Sequence, residues 1–315
     1  MQARDPSRDK NPRKKRLHLP IVEPPERAAH VRKPSWLKAH MRVGENYKDL
    51  KRIMEGQALN TVCEEAGCPN IFECWEAREA TFLILGNVCT RRCGFCDIQT
   101  GKPGAVDEDE PARVAEATRE MGLKHLVLTA VARDDLPDGG ASVWAACIRA
   151  VREAVPDCGI EVLPPDFKGE RDEIAAVIEA EPDVFAHNLE TVRRLHGRIR
   201  PGFDYDRTLG ALRLAKELRP GQVTKSNLIL GMGERPAEVP DALRDLRDAE
   251  VDLLTIGQYL QPTKYHLPVD RWVTPEEFDD HARTGMAMGF AHVEAGPLVR
   301  SSYRAGTQLQ KARAG

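Results

Sequence analysis

Thr81 to Cys96 reads TFLILGNVCTRRCGFC, an apolar run of strand length followed at once by a polar stretch that delivers Cys89, Cys93 and Cys96 as CxxxCxxC. Downstream, further short apolar runs recur at 125–131 (HLVLTAV), 160–164 (IEVLP), 184–190 (VFAHNLE), 223–231 (VTKSNLILG) and 253–260 (LLTIGQYL). Between them lie stretches of helical periodicity at 111–122, 142–155, 173–180, 209–218 and 242–249. Strand and helix in alternation predict an α/β protein with a parallel sheet and its helices outside. Six such units in about 180 residues favour a curved or closed barrel, although the pattern alone also fits a doubly wound sheet. In a barrel the chemistry gathers where strands deliver their C-terminal ends, which is where Cys89, Cys93 and Cys96 fall.

Eight cysteines in 315 residues are too few for a disulfide scaffold, and closely spaced ones read as metal ligands or redox groups. Structural zinc usually takes cysteines in CxxC pairs and needs a fourth ligand. Here three thiols are grouped tightly, with no fourth Cys or His close behind. Three thiolates on a cubane iron–sulfur cluster leave one iron open for a small molecule. A second triad precedes the first run: Cys63, Cys68 and Cys74 in TVCEEAGCPNIFEC. Its CxxxxCxxxxxC spacing fits a structural zinc, an electron-transfer cluster or a reactive cluster equally well. Cys147, in a helical stretch beside Trp144, and Cys158, near a turn, read as packing cysteines.

The rest of the composition is ordinary. The net charge is −3, from 46 basic and 49 acidic side chains, with 41% hydrophobic residues. Neither a membrane span nor the apolar core of a secretory signal is evident, so a cytoplasmic protein with no membrane or nucleic-acid partner is expected. Residues 1–34 read as a basic arm and extended linker; the arm is taken as a solvated tail rather than a docking patch. Tyr47, Leu50, Ile53 and Met54 share one face of a short helix over 46–58.

The CxxxCxxC array behind a first barrel strand resembles that of the radical S-adenosylmethionine (SAM) superfamily. Within it, the two cysteine arrays together with RDDLPDGGA (133–141), PDF (165–167), HNLETV (187–192), TKSNLILGMGE (224–234), IGQYLQPT (256–263) and GPLVRSSYRAG (296–306) resemble the lipoyl synthase family. The resemblance runs from about residue 20 to 306, with Asn227, where a smaller residue is more usual, and Pro165 as modest departures. It implies a partial (βα)6 TIM-like barrel over 81–290. An N-terminal extension at 35–80 would carry the second triad, and a C-terminal extension at 291–315 the RSSY motif.

The family's chemistry follows as expectation. Two [4Fe–4S] clusters are implied, with SAM as cosubstrate. Cys89, Cys93 and Cys96 would hold the cluster that splits SAM to a 5′-deoxyadenosyl radical. Cys63, Cys68, Cys74 and a serine of RSSY would hold an auxiliary cluster, whose sulfide is inserted at C6 and C8 of an octanoyl chain on a carrier lysine. Ser302 is preferred to Ser301 for that ligand, and a serine alkoxide, poorer than thiolate for iron, would release its iron as sulfur is given up. Phe95 is expected near the adenine, and Asn188 with Glu190, alternating along one face, near the ribose hydroxyls. Lys225, Ser226, Gln258 and Tyr259 are expected to line the cavity, while Arg133 with Asp134 and Asp135 fits either SAM binding or a loop ion pair. Expected partners are octanoylated lipoyl domains of 2-oxoacid dehydrogenases and the glycine cleavage H protein, a low-potential electron donor, and an iron–sulfur carrier that rebuilds the auxiliary cluster. A methylthiotransferase-like enzyme and a non-enzymatic metal module are the competing readings, and neither accounts for RSSY.

Overall fold

Residues 33–38, 43–57, 59–65 and 67–314 are described by a computed structural model; the basic arm expected at the N-terminus lies outside them but for its last two positions. Strand β1 (Asn60–Thr61) runs antiparallel to β2 (Glu79–Ile84). β3 (Val88–Cys89) and β4 (Gln99–Thr100) form a separate ribbon at the base of the first cysteine loop. Then β5 (His125–Ala130), β6 (Gly159–Leu163), β7 (Val184–Ala186), β8 (Val223–Leu230), β9 (Leu253–Gln258) and β10 (His292–Gly296) add to β2 in chain order, each parallel to its neighbours. The sheet ends at β1 and β10, with no ladder joining them among the described residues, so the barrel is open.

Three short helices precede β2: α1 (Glu45–Gln57), α2 (Val62–Glu65) and α3 (Ile71–Glu76). Helices α4 (Glu110–Glu120), α5 (Ala141–Ala154), α6 (Arg171–Ile178), α7 (Arg193–Ile199), α8 (Tyr205–Leu218), α9 (Glu238–Asp248) and α10 (Pro275–Ala287) fill the crossovers, and α11 (Ala305–Ala314) follows β10. Parallel neighbours require such crossovers, and the helices that make them bury one apolar stripe each. In α5 that stripe is Trp144, Ile148 and Val151, packed against strand residues such as Leu126, Leu128 and Ile160, all fully buried. Burial of side chains this size stabilises by about 1.5–3 kcal/mol each.

The helices expected from periodicity are found within a few residues of their predicted bounds. β10 and α10 are among the elements that were not legible as apolar runs or periodic stretches. β10, HVEAG, alternates polar residues because it is an edge strand with Val293 as its one fully enclosed side chain. It adds a seventh parallel strand to the six expected. α10 opens with a capping box, Thr274 accepting from the Glu277 amide while Glu277 accepts from the Thr274 amide, and Pro275 sits in the first turn. That TPEE signature was present in the sequence and marks the helix start.

Candidate functional site

The first cysteine loop is anchored on three sides. Cys89 closes the β3–β4 ribbon, and its Sγ accepts the backbone N–H groups of Arg91 at 3.4 Å and Ala132 at 3.3 Å. Gly94 donates to the Ile199 carbonyl at 2.8 Å and accepts from the Leu267 amide at 3.2 Å. A Cβ at Gly94 would stand 2.7 Å from Leu267 Cδ1, so a larger residue there would have to displace that side chain. His266 Nε2 donates to the Cys96 carbonyl at 3.0 Å. Between the cysteines, buried Arg91 reaches Asp134 with two bonds (2.7 and 2.8 Å) and Asp166 with one (2.6 Å), and Asp166 takes a further bond from Arg207 at 2.5 Å. Arg133 instead pairs with Asp135 at 2.9 Å and caps the Leu85 and Gly104 carbonyls, which is the loop ion pair of the two readings weighed for it.

The second triad is assembled by α2, α3 and the turn between them. Cys68 donates its amide to the Cys63 carbonyl at 3.0 Å, and Cys74 lies within α3. The chain after β10 closes against them. Asn70 Nδ2 bonds the Leu298 carbonyl at 2.6 Å, and Glu73 accepts from Tyr303 Oη and Arg304 Nε, each at 3.0 Å. Gly257 on β9 makes room for this segment, since a Cβ there would meet the Val299 carbonyl oxygen at 2.1 Å. A narrow void results, lined by Cys63, Cys68, Cys74, Ser302, Arg300, Glu79 and His125 among others. Glu79 and His125 begin β2 and β5, so this triad lies toward the N-terminal ends of the strands, opposite to the end at which barrel sites are sought.

Beside that void a cavity of about 480 Å³ runs through the barrel. Cys63 and Cys68 of the second triad line it, as do Cys96 and Phe95 of the first. Ser302 borders both the void and the cavity, whereas Ser301 borders the cavity alone. Burial pushes the thiol pKa values up, to about 11 for Cys93 and about 12 for Cys96 and Cys63, and raises Cys68 and Cys74 as well. Such thiols give up their protons on binding a metal centre, which then supplies the charge compensation that burial denies them. Among the described residues no three Cys, His, Asp or Glu groups are disposed to close on a single ion. Three thiols in each set, with Ser302 beside the second, are donors of the type that an iron–sulfur cluster takes.

On the far wall Asn188 Nδ2 donates to Glu190 Oε1 at 2.9 Å and Asn227 Nδ2 to Glu190 Oε2 at 2.8 Å. Asn227 is itself oriented by Thr255, whose Oγ1 donates to Asn227 Oδ1 at 2.8 Å. Glu190 is not in a regular strand: β7 ends at Ala186, and Glu190 has φ +67° while bridging to Leu228 of β8. Asn188, Glu190 and Asn227 all face the cavity, with Gln258 and Tyr259. Lys225 and Ser226 do not line it. Lys225 is spent on a buried pair with Glu161 (2.9 and 3.1 Å), and Ser226 bonds the His187 carbonyl and the Leu189 amide. Asn227 is the site residue that sequence reasoning set aside as a departure; the period-2 step from Lys225 along β8 was the available signal. Cys147 and Cys158 are buried in the core, as expected of packing cysteines.

Comparison with known proteins bears on the fold and the family. The profile of the Radical SAM superfamily matches residues 83–246, and that of the N-terminal domain of lipoyl synthase matches residues 7–68. Among solved structures, methylornithine synthase shares the fold with a TM-score of 0.54 at 14% identity, covering 80% of this chain and 72% of that one. A maturase of the [FeFe]-hydrogenase does so with a TM-score of 0.54 at 16% identity, covering 78% and 62%. The lipoyl synthase of Rubrobacter xylanophilus is 58% identical over 298 residues, 95% of this chain and 92% of the relative. That of Mycobacterium tuberculosis is 58% identical over 282 residues, 90% of each. An open, parallel barrel with a thiol triad behind its first strand, joined to this similarity along nearly the whole length, makes the chain a member of the lipoyl synthase family of radical SAM enzymes.

Proposed function

We propose that Cys89, Cys93 and Cys96 hold the SAM-cleaving [4Fe–4S] cluster and that Cys63, Cys68, Cys74 and Ser302 hold a second, sulfur-donating one. When bound, these groups supply one-electron chemistry on SAM and the sulfide for insertion at C6 and C8 of an octanoyl chain. The observation that carries the reading is that both triads border one cavity, with Cys63 and Cys68 on the same walls as Cys96. A short-lived radical reacts with what already stands beside it, so the sulfur source and the point of hydrogen abstraction must share an enclosure.

The chain's own residues have assigned tasks in this reading. Asn188 and Asn227 hold the Glu190 carboxylate open to the cavity as acceptor for the ribose hydroxyls of SAM, and Phe95 packs against its adenine. The Glu73 bonds to Tyr303 and Arg304 hold the RSSY segment over the second triad. The extension expected at 35–80 carries the second triad, the barrel expected over 81–290 reaches on to the end of β10 at Gly296, and the segment after it supplies Ser302. The substrate is an octanoyl-lysine arm on a lipoyl carrier, with E2 subunits of 2-oxoacid dehydrogenases and the glycine cleavage H protein as carriers. A low-potential donor supplies the electrons, an iron–sulfur carrier rebuilds the second cluster, and the setting is the cytoplasm. Among the described residues no helix is long and apolar enough to cross a membrane.

The test is mass spectrometry of an octanoyl-lysine carrier peptide incubated anaerobically with the reconstituted protein, SAM and a low-potential reductant. Gain of two sulfurs together with 5′-deoxyadenosine is the expected result. Formation of 5′-deoxyadenosine with no thiolated peptide would leave the radical chemistry intact and overturn the substrate.

A further inference from the structure

Asp134 and Asp135 are adjacent in sequence, yet their carboxylates serve different arginines. Asp135 takes Arg133, whereas Asp134 takes Arg91, which lies between Cys89 and Cys93. The segment from Cys89 to Arg91 is laced to that from Ala132 to Asp134. Ala132 donates its amide to Cys89 Sγ at 3.3 Å, and Thr90 donates its amide to the Ala132 carbonyl at 3.0 Å. The Thr90 hydroxyl reaches Asp134 Oδ2 at 2.8 Å and accepts the Asp134 amide at 3.1 Å. Arg91 then grips both oxygens of the same carboxylate, Nε to Oδ2 at 2.8 Å and Nη2 to Oδ1 at 2.7 Å.

The remaining corner of that guanidinium, Nη1, reaches Asp166 Oδ1 at 2.6 Å, and the fully enclosed Asp166 is held in turn by Arg207 Nε at 2.5 Å and the Lys168 amide at 3.2 Å. Asp134 follows β5 and Asp166 follows β6, so one side chain ties the cysteine loop to the ends of the next two strands. Phe203 backs the guanidinium, its ring centroid 4.3 Å away, and it follows α7, whose last residue, Ile199, accepts the Gly94 amide. The charges balance, two arginines against two aspartates, with Lys168 Nζ 3.8 Å from Asp134 on the solvent side. A buried ion network adds little net stability over apolar packing of the same volume, and its best-attested use is to fix one arrangement among several. What this network fixes is the backbone between two of the three thiols.

We propose that the network of Arg91, Asp134 and Asp166 holds Cys89 and Cys93 in place as a pair, and that it governs retention of the first cluster and not of the second. This rests on the assignment of Cys89, Cys93 and Cys96 as ligands. Arg91, Asp134 and Asp166 are positioning residues: none of them lines the cavity, and they act through the backbone of residues 89–91. The second triad has its own fastenings, from Asn70 and Glu73 to the chain after β10. Hydrogen-bonded partners standing behind metal ligands are worth about ten- to a hundredfold in metal affinity. Because Arg91 spans two carboxylates, its planar fork matters as well as its charge.

The test uses the full chain, reconstituted anaerobically, as wild type, Asp134→Asn, Arg91→Gln and Arg91→Lys. Each is exposed to an iron chelator while two quantities are followed. The electron paramagnetic resonance signal that SAM perturbs reports the first cluster, and the signal that SAM leaves unchanged, with its iron, reports the second. Asp134→Asn and Arg91→Gln are expected to lose the SAM-perturbed signal about tenfold faster than wild type or more, with the other signal unchanged. Arg91→Lys keeps the charge without the fork and is expected to behave as Arg91→Gln. Three results overturn the proposal: equal loss of both clusters, which would make the network a general support of the fold; wild-type retention in Asp134→Asn and Arg91→Gln; and wild-type retention in Arg91→Lys alone, which would make charge the agent. Where Arg91→Gln does not fold, Asp134→Asn, which keeps the size and one acceptor oxygen, decides by the same rule. A Cys93→Ala control keeps the two levels apart. Survival of the SAM-perturbed signal in that variant removes the ligand assignment and the proposal with it, whereas its loss there, with wild-type retention in the Arg91 and Asp134 variants, overturns the proposal alone.

Discussion

Asn227 donates its side-chain amide to Glu190 Oε2 at 2.8 Å, so the carboxylate facing the cavity is oriented by a residue from the neighbouring strand. Burial raises the Glu190 pKa, while the charge of Arg200 and the two amide bonds favour its ionised form. Replacing Asn227 by alanine removes one of those donors. A hydrogen bond to a buried charged group is worth about 1.5–3 kcal/mol, so SAM affinity should fall about ten- to hundredfold. Calorimetric titration of the reconstituted protein with SAM measures this, and an unchanged dissociation constant would detach Glu190 from SAM binding.

Ser301 and Ser302 are neighbours in sequence but not in environment, since only Ser302 reaches the void among Cys63, Cys68 and Cys74. Ser302→Ala should keep 5′-deoxyadenosine formation within a few-fold of wild type while thiolated product disappears; Ser301→Ala should keep both. The opposite pattern would exchange the two assignments. Product analysis of the two variants side by side is the measurement.

Lys225 and Glu161 are each 1% exposed, and among the described residues their side chains bond only to each other, across β8 and β6. Truncating one partner strands the other charge, so Lys225→Met should destabilise by about 3–5 kcal/mol. The double variant Lys225→Met with Glu161→Leu replaces the pair by apolar volume and should recover much of that loss. Denaturant unfolding of the three proteins decides; a double variant as unstable as the single one would mean that the pair is not the source of the effect.

His187 and His196 are buried, and burial followed by the nearby Arg200 charge lowers both to about 4. Their folded pKa values thus lie below the unfolded value near 6.5. The stability they contribute is complete above about pH 6.5 and is lost as pH falls through 4, because the unfolded chain takes up protons that the folded one refuses. Between pH 7.5 and 5.5 the two together should remove about 3 kcal/mol. Unfolding midpoints at the two pH values check this, and His196→Leu should halve the difference. A pH-independent midpoint in the wild type would show that the two imidazoles titrate normally.

The barrel was legible because fully enclosed parallel strands are written as continuous apolar runs, as in TFLILG and LLTIGQYL. The cysteine triads stood out as candidate ligand sets because metal chemistry demands a particular residue type at short spacing. Other features escaped for physical reasons. β10 is an edge strand and carries His292 and Glu294 where an inner strand would carry aliphatic residues. Asn227 draws its significance from a partner distant in sequence, Glu190, and no local pattern announces such a meeting. Lys225 misled for the complementary reason: a polar residue on an inner strand suggests a cavity, and here its partner is Glu161, 64 positions away in the chain.

The sheet grows in strict chain order, and the segment bearing Ser302 comes after its last strand. All six cysteines of the two triads, and every strand of the barrel, therefore leave the ribosome before the serine does. In the finished fold residues 298–304 cover one flank of the second triad. In the proposed reading this flank is the part of the wall that would have to loosen for the second cluster to be replaced, and its fastenings are the bond that Asn70 donates to the Leu298 carbonyl and those that Glu73 accepts from Tyr303 and Arg304.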